Sequence, residues 1–125
     1  ARPCLRLIDV QNFLKTFSSS KADGMIFAKP STDTLKSSKD GKVIDNTVDR
    51  SLFWEAQTPQ IFKSQKLSQA YLSYRGDLSK VTDESSLFDN KKENIILFNS
   101  PSNNMKITSP GDLQLAQHLI RSSKD

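Results

Sequence analysis

The stretch TVDRSLFWEAQTPQIF, residues 47–62, combines features that no single structural element needs together. Arg50 lies between an acid and a serine, and an apolar run, residues 52–54, leads into Gln-Thr-Pro-Gln. A strand of the core does not need the arginine, and a surface loop does not need the tryptophan. The mixture predicts a segment that is half buried and half committed to a ligand, with residues 52–56 rejoining a sheet.

The composition is that of an ordinary folded chain. Its 125 residues, 35% hydrophobic and 26% charged, fit one compact unit that is neither disordered nor built on disulfides. No run of about 18 apolar residues occurs, so no membrane partner is expected. The single cysteine, Cys4, rules out an internal disulfide and suits a reducing compartment, and we expect a cytoplasmic location.

The net charge of +4 and the isoelectric point near 9.3 are compatible with a polyanionic partner. The basic residues are scattered, however, and no aromatic residues are interleaved with them for base stacking. This pattern favours a mildly basic solvated surface first and a small phosphorylated ligand second. No nucleic-acid partner is expected; such a binder would need a contiguous basic face and would show salt-dependent DNA binding.

Helical and extended patterns alternate along the chain. Three amphipathic helices are predicted, the first capped by Asp9, the second opening at Ser64 and the third at Ser109. The apolar run at residues 24–28 predicts a buried strand, and the run at residues 94–98 gives the clearest strand signal. The last helix is predicted to bury an apolar stripe formed by Leu113, Ala116, Leu119 and Ile120. Strands that alternate with helices indicate a mostly parallel α/β sheet.

A polar excursion precedes residues 47–62. Asp40-Gly41 lies at its centre, and Asp-Gly between two extended flanks is a strong hairpin signal. Both flanks are too polar to belong to a core. The hairpin, at about residues 31–50, is therefore predicted to project from the body as an arm.

The sequence carries no HExxH, CxxC or GxxxxGK[ST] motif. His118 falls late in the last helix, where a surface position is the favoured interpretation, and Cys4 has no evident base. Four carboxylates are of a type that suits magnesium: Asp33, Asp49, Asp83 and Glu84. Each is also explained by capping or turn formation, which we favour, so no metal ligand is assigned.

Threonines and cations next to strand ends and turns form the remaining candidate set: Arg2, Thr34, Arg50, Thr58, Thr82 and Lys106. Hydroxyls, a planar guanidinium fork and a point charge are the groups that hold phosphate. Ligands of open α/β sheets lie beyond the carboxyl ends of the strands. Thr82 and Lys106 lie at element boundaries, which suits such a crevice.

Six motifs in a fixed order carry a resemblance to a known family. They are ARPC at 1, PSTDTLK at 30, TVDRSLFWEAQTPQIF at 47, VTDESS at 81, NNMKIT at 103 and SPGDLQLAQ at 109. With these motifs the chain resembles the C-terminal part of the 2-C-methyl-D-erythritol 4-phosphate cytidylyltransferases of non-mevalonate isoprenoid biosynthesis. The resemblance implies an α/β fold, the C-terminal portion of a Rossmann-like nucleotidyltransferase domain with a protruding β-hairpin arm. Residues 1–125 would be that portion, and the N-terminal CTP-binding part would be absent.

The same resemblance implies an activity. The family transfers a cytidylyl group from CTP to methylerythritol phosphate, releases pyrophosphate and works as a homodimer through the arm. Thr34 and Arg50 would contact the methylerythritol phosphate bound by the neighbouring subunit. Thr58, Thr82 and Lys106 would line the substrate pocket of their own subunit, with Arg2 on the nucleotide side.

The catalytic roles that the resemblance implies fall on two cations. Lys106 would compensate charge near the reacting phosphates, and Arg50 would grip the substrate phosphate. Magnesium (Mg²⁺) would be held mainly by the absent N-terminal part and the CTP phosphates. Residues 52–54 would bury the segment where it re-enters the body, while Thr58, next to the fixed backbone of Pro59, would face the pocket.

Two alternatives stay open. A ribitol-5-phosphate cytidylyltransferase uses the same chemistry, and turnover of the two alcohol phosphates distinguishes them. A non-catalytic dimerisation module would keep the arm as an interaction element only. That module would tolerate substitution of Arg50 and Lys106 without any change in activity.

We predict that the 125-residue chain alone shows no cytidylyltransferase activity, because the groups that hold the nucleotide phosphates would lie outside it. A pyrophosphate-release assay with CTP and methylerythritol phosphate checks this, with a complete family member as the positive control. Turnover by the chain alone would contradict the prediction.

Overall fold

Three helices and five strands make up the part of the chain that the structure, a computed structural model, describes: residues 1–123. The helices are α1 (Leu7–Ser19), α2 (Ser64–Ser73) and α3 (Pro110–Ser122). The strands are β1 (Gly24–Pro30), β2 (Leu35–Ser37), β3 (Asn46–Val48), β4 (Trp54–Phe62) and β5 (Ile95–Asn99). Short 3-10 helices at Arg50–Leu52, Leu78–Lys80 and Glu84–Phe88 lie in the connections. None of the helices in this range is long and apolar enough to cross a membrane.

Strand β1 is the centre of a three-stranded sheet with the order β4-β1-β5. It runs parallel to β5 but antiparallel to β4, so the prediction of a mostly parallel sheet is wrong for β4. The reason is local: Pro30, the last residue of β1, pairs with Trp54, the first residue of β4. A chain that returns to the sheet at the end it left can only pair antiparallel. The parallel pair needs the chain to return to the start of β1, and β4 itself makes that return; the connection containing α2 then joins the end of β4 to the start of β5 at the same end of the sheet.

Both faces of β1 are covered. Met25 and Phe27 pack with Phe13 of α1, and the Phe13 and Phe27 rings stack with their centroids 4.5 Å apart. A second buried cluster joins α2 to the last 3-10 helix and contains Ala70, Leu87 and Phe88. Residues 24–28 are all buried, which confirms the buried strand predicted for this run.

The helix starts follow the sequence signals unevenly. Ser109 caps α3 in a capping box with Asp112, as predicted. The prediction that Asp9 caps α1 is wrong, because the helix already begins at Leu7 and Asp9 lies in its first turn. There it accepts hydrogen bonds from the Arg6 guanidinium at 2.9 and 3.1 Å, which lower the pKa of Asp9. An acid in the first turn stabilises the positive end of the helix dipole without being the cap.

The predicted buried stripe of α3 is only partly buried. Ala116 is fully covered and Leu119 is half-buried, whereas Leu113 and Ile120 are exposed. The cause is that the N-terminal segment covers only a narrow strip of this helix. The Cys4 thiol lies 3.9 Å from the carbonyl oxygen of Ala116 in that strip. Within residues 1–123, no other element packs on the helix side chains to either side of this contact.

The hairpin predicted around Asp40-Gly41 is present. β2 and β3 form their own two-stranded ladder, separate from the main sheet, and no residue of 31–50 is buried. The connecting loop, residues 38–45, is longer than a two-residue turn. The Asp40 carboxylate accepts the backbone N–H groups of Lys42 and Val43, and Gly41 has a φ of +70°. The Asp-Gly pair thus shapes the tip of the hairpin rather than closing its ladder.

The expectation that residues 52–54 are buried is wrong within this chain. Leu52, Phe53 and Trp54 are 76%, 45% and 42% exposed. Leu52 ends the 3-10 helix after the arm, Phe53 follows it, and Trp54 begins β4 opposite the end of β1. Neither cluster of the core includes them. Their apolar character therefore needs another explanation.

We predict that Gly24→Ala destabilises the chain by about 1–3 kcal/mol, because a core this tightly filled has no space for another carbon atom. A Cβ at this position would lie 2.5 Å from Phe62 Cδ1 and 2.9 Å from the carbonyl oxygen of Ile61. Urea denaturation measures the loss. Gly111→Ala is the matched control: its Cβ would meet only Ser109 Oγ, at 3.9 Å, and an effect within about 1 kcal/mol is expected inside a helix. Equal losses in both variants would contradict the packing argument.

Candidate functional site

One cavity collects residues from the N-terminus, β4 and two connections. We call it the threonine cavity; its volume is about 300 Å³, and its lining residues are Ala1, Arg2, Ala56, Gln57, Thr58, Gln60, Thr82, Asp83 and Lys106. Four of the six candidate residues from the sequence therefore meet in one place. The two on the arm, Thr34 and Arg50, do not line it.

Thr58 reaches the cavity through an irregularity in the sheet. Between the pairs Ile26–Gln60 and Ala28–Ala56, residues 57–59 of β4 lie opposite a single β1 residue. The peptide bond between Thr58 and Pro59 is cis. A bulge of this kind leaves residues out of the ladder and re-aims their side chains. Proline inside an otherwise extended run is the sequence signal for such a bulge.

Arg2 is fastened to the cavity wall. Its Nε donates to Thr58 Oγ1 at 3.1 Å, and its Nη1 donates to the carbonyl oxygen of Asn104. Partial burial lowers the pKa of the Arg2 guanidinium. The group stays a cation, because an arginine does not deprotonate in proteins. The N-terminal segment thus carries a fixed positive charge to Thr58.

Asn104, only 2% exposed, joins the segments of the cavity wall. Its side-chain amide donates to Gln57 Oε1 at 2.9 Å, to the carbonyl oxygen of Thr58 at 3.0 Å and to Ser100 Oγ at 3.1 Å. The sequence reasoning missed this residue. It appears there as one of two adjacent asparagines in a loop, and no local signal distinguishes a buried asparagine from an exposed one.

Gln60 and Asp83 form the opposite wall. Asp83 Oδ2 accepts from Gln60 Nε2 at 2.8 Å and from Ser85 Oγ at 2.7 Å, while Oδ1 accepts the backbone N–H of Ser86. Gln60 Nε2 also donates to the carbonyl oxygen of Gln57, so its amide orientation is fixed. The buried Gln60 Oε1 has no hydrogen-bond partner within residues 1–123. It is a buried acceptor for which residues 1–123 supply no donor.

Lys106 supplies a second positive charge to the cavity. It lies in the connection between β5 and α3, where the neighbouring Ile107 N–H donates to the carbonyl oxygen of Ala1 at 2.9 Å. No acid pairs with its ammonium group in the described range. Two cations, Arg2 and Lys106, thus face one carboxylate, Asp83, which favours an anionic ligand.

The arm residues lie apart from this cavity. Thr34 is exposed and directly precedes β2. Arg50 is exposed in the 3-10 helix after β3, where its Nη1 donates to the carbonyl oxygen of Thr32. This bond ties the two ends of the arm together at its base. Within residues 1–123, neither residue lies beside the other phosphate-binding candidates.

The remaining candidates have local roles. Asp49 and Asp83 each cap a 3-10 helix, as the capping interpretation predicted. Glu84 accepts from the Tyr71 hydroxyl at 3.3 Å, and Asp33 is exposed on the arm. The single cysteine and the single histidine do not line the cavity. Cys4 is buried against α3, and His118 is exposed on that helix. No group of three or more His, Cys, Asp or Glu residues suited to a metal ion occurs within residues 1–123.

The fold and the cavity fit one class, and the comparisons with known proteins agree with it: solved structures of α/β nucleotidyltransferases match this chain over about half of their own length. A family model described as 2-C-methyl-D-erythritol 4-phosphate cytidylyltransferase (IspD) matches residues 1–122. The chain belongs to this family, which confirms the resemblance carried by the six motifs.

Individual relatives give the same result. The chain is 37% identical over its whole length to a protein of this description from Vibrio vulnificus (strain CMCP6), of which it covers 52%. It is 40% identical over 120 residues to one from Actinobacillus pleuropneumoniae serotype 7, covering 96% of the chain and 51% of that relative. The chain thus spans about half the length of the curated relatives it matches.

Solved structures match the fold directly. The crystal structure of the Francisella tularensis protein of the same description superposes with a TM-score of 0.81 at 30% sequence identity. The match covers 95% of this chain and 55% of that one. The expected fold class, an α/β nucleotidyltransferase portion, is confirmed. The functional roles of the individual site residues stay predictions.

We predict that Asn104→Ala destabilises the chain by about 1–3 kcal/mol, because it leaves buried acceptors without a donor. Urea denaturation measures the change. Asn46→Ala, on the exposed arm, removes the same group and should change stability by no more than about 0.5 kcal/mol. An Asn104 variant as stable as the Asn46 variant would show that Asn104 does not hold the cavity wall together.

Proposed function

We propose that the complete protein transfers a cytidylyl group from CTP to 2-C-methyl-D-erythritol 4-phosphate and releases pyrophosphate. The observation that carries this proposal is the convergence of Arg2, Thr58, Thr82 and Lys106 on one cavity. Membership of the cytidylyltransferase family supports the reaction and its two substrates. A cytoplasmic location stays part of the proposal.

The reaction suits a site without a histidine or cysteine catalyst. An oxygen of the methylerythritol phosphate attacks the α-phosphorus of CTP, the bond from that phosphorus to the β-phosphate oxygen breaks, and pyrophosphate leaves with the electron pair. The attacking oxygen is already anionic near neutral pH, so no general base is required. The protein has to hold two polyanions in line and compensate their charge.

The residues of the threonine cavity divide this work. Lys106, without an acid partner in residues 1–123, compensates charge on the reacting phosphates. Arg2 holds a second positive charge beside Thr58. The Thr58 and Thr82 hydroxyls bind phosphate oxygens or the polyol. The set suits a phosphorylated sugar alcohol better than a flat apolar ligand.

Magnesium is not held by this cavity alone. Asp83 is the one carboxylate among its lining residues, and both of its oxygens already accept hydrogen bonds. These residues do not fit a magnesium site, which needs free oxygen ligands in octahedral geometry. Within the proposal the ion accompanies the phosphates of the nucleotide and finds its protein ligands outside residues 1–123.

The arm completes the proposal as an element shared between two copies of the chain. Thr34 and Arg50 do not line the cavity of their own chain, which suits a role in the cavity of a partner. The surface around the arm carries exposed apolar side chains: Val43, Ile44, Leu52, Phe53 and Trp54. Such a concentration of apolar surface is typical of a protein interface. A homodimer in which each arm reaches the other subunit satisfies both observations.

Mixed dimers of the complete protein test this arrangement. We expect Lys106→Gln to lower kcat by roughly 100-fold, since it removes charge compensation in the transition state. Arg50→Gln is expected to raise KM for methylerythritol phosphate about tenfold or more through the lost phosphate contact. A mixed dimer contains one Lys106→Gln subunit and one Arg50→Gln subunit. If Arg50 serves the partner's cavity, one of its two sites carries both substitutions and the other site carries neither. At methylerythritol phosphate concentrations well below KM, random mixing should then restore about a quarter of the wild-type rate.

Three further results decide among the alternatives. No recovery in the mixed dimers would place Arg50 in the site of its own chain. Unchanged activity in both single variants would favour a dimerisation module, and faster turnover of ribitol 5-phosphate would overturn the proposed substrate. Lys15→Gln, an exposed lysine on α1 outside the cavity, is the matched control and should leave kcat and KM unchanged.

A further inference from the structure

A second cavity lies between α2 and the turn that precedes β5. We call it the α2 cavity; its volume is about 440 Å³, and its lining residues are Lys66, Gln69, Ala70, Leu72, Ser73, Arg75, Phe88, Lys91 and Glu93. It shares no lining residue with the threonine cavity. The reaction proposed above therefore gives it no role.

The α2 cavity has a rigid apolar floor. Ala70 and Phe88 are 4% and 5% exposed and belong to the second buried cluster of the core. The Phe88 ring stacks on Phe62 of β4, with centroids 5.4 Å apart and an angle of 12° between the planes. Leu72, which is 80% exposed, adds an apolar rim. A floor supported by the core keeps its shape whether or not a ligand is present.

One of the three cations of the cavity is neutralised. Lys66 Nζ lies 3.7 Å from Glu93 Oε1, and these two charges largely cancel. Arg75 and Lys91 have no acid partner within residues 1–123. The cavity therefore keeps two positive charges above an apolar floor.

Lys91 is aimed at the cavity by the local backbone. Asn90 adopts the left-handed conformation with a φ of 58°, which asparagine tolerates better than most residues, and the Lys91 N–H donates back to the carbonyl oxygen of Phe88. The Lys91 ammonium donates to Ser73 Oγ at 3.2 Å, and that hydroxyl donates to the carbonyl oxygen of Ala70 at 3.3 Å. This chain of hydrogen bonds holds the charge beside α2 rather than in bulk solvent.

We propose that the α2 cavity is a second ligand site, which binds an organic phosphate monoester with a small apolar or aromatic body. The body packs on Ala70, Phe88 and Leu72, and the phosphate lies between Arg75 and Lys91. Near pH 7.5 the phosphate carries about two negative charges, since its second pKa is about 6. It therefore matches both unpaired cations, whereas a monocarboxylate would match only one.

Phenyl phosphate is a suitable probe, and its binding to the isotope-labelled chain can be followed by amide chemical shifts in NMR titrations. The saturating shifts are expected at Ser73, Arg75 and Lys91. Arg75→Gln and Lys91→Gln should each weaken binding by about tenfold, because each removes one charge-assisted contact to the phosphate. Both side chains are exposed, so these variants keep the fold. Lys15→Gln, which removes the same charge from α1, should leave the affinity unchanged.

Two further ligands and one variant separate the apolar and the charged contributions. Inorganic phosphate and benzoate should each bind at least about threefold more weakly than phenyl phosphate. Inorganic phosphate lacks the apolar ring, and benzoate lacks the doubly charged phosphate. Leu72→Ser should weaken phenyl phosphate but not inorganic phosphate.

Several outcomes would overturn the assignment. Shifts confined to Thr82 and Lys106 would mean that the probe occupies the threonine cavity instead. Equal losses of phenyl phosphate affinity in the Lys15 and Arg75 variants would mean that only the net charge of the protein matters. If binding does not saturate at about 10 mM phenyl phosphate, the binding free energy is weaker than about −3 kcal/mol. That result would show that the cavity is not a ligand site. None of these results depends on cytidylyl transfer, so the two proposals can fail independently.

Discussion

The pairing of β1 on both of its edges, with both of its faces covered, is the constraint on which the other elements depend. Residues 24–28 are buried without interruption, and each neighbouring strand takes its register from them. Phe27 shows this most directly: it packs in the aromatic cluster under α1 and also lies opposite the bulge in β4. The same residue thus anchors the core and faces the irregular segment that brings Thr58 to the cavity.

The threonine cavity is held by polar contacts around the bulge in β4. Arg2, Thr58 and Asn104 come from distant parts of the sequence, and the hydrogen bonds among them fix the wall. The charge that would meet a ligand, on Lys106, is left without an acid partner in the range described, 1–123. A rigid wall next to a free cation is the arrangement that electrostatic stabilisation of phosphate transfer needs, because the dipoles are oriented before the ligand arrives.

The sequence predicted what depends on neighbours along the chain. The Ser109 cap requires only the residues that follow it, and the Asp-Gly hairpin only its two flanks. Burial is different, because it depends on what packs above a side chain, and the expectations for residues 52–54 and for α3 were wrong for that reason. The common cavity of Thr58, Thr82 and Lys106 followed from the family resemblance, whereas Asn104 needed the coordinates.

The exposed arm has a consequence for the way the chain opens. Its ladder pairs only residues 35–37 with 46–48, and none of its side chains is buried, so little holds it to the sheet. Its backbone amides should exchange with deuterium well before those of β1, and a protease should cut within residues 38–45 while the body stays folded. In the homodimer proposed above, ordering the arm on association would cost conformational entropy, which would weaken assembly and let subunits exchange in solution.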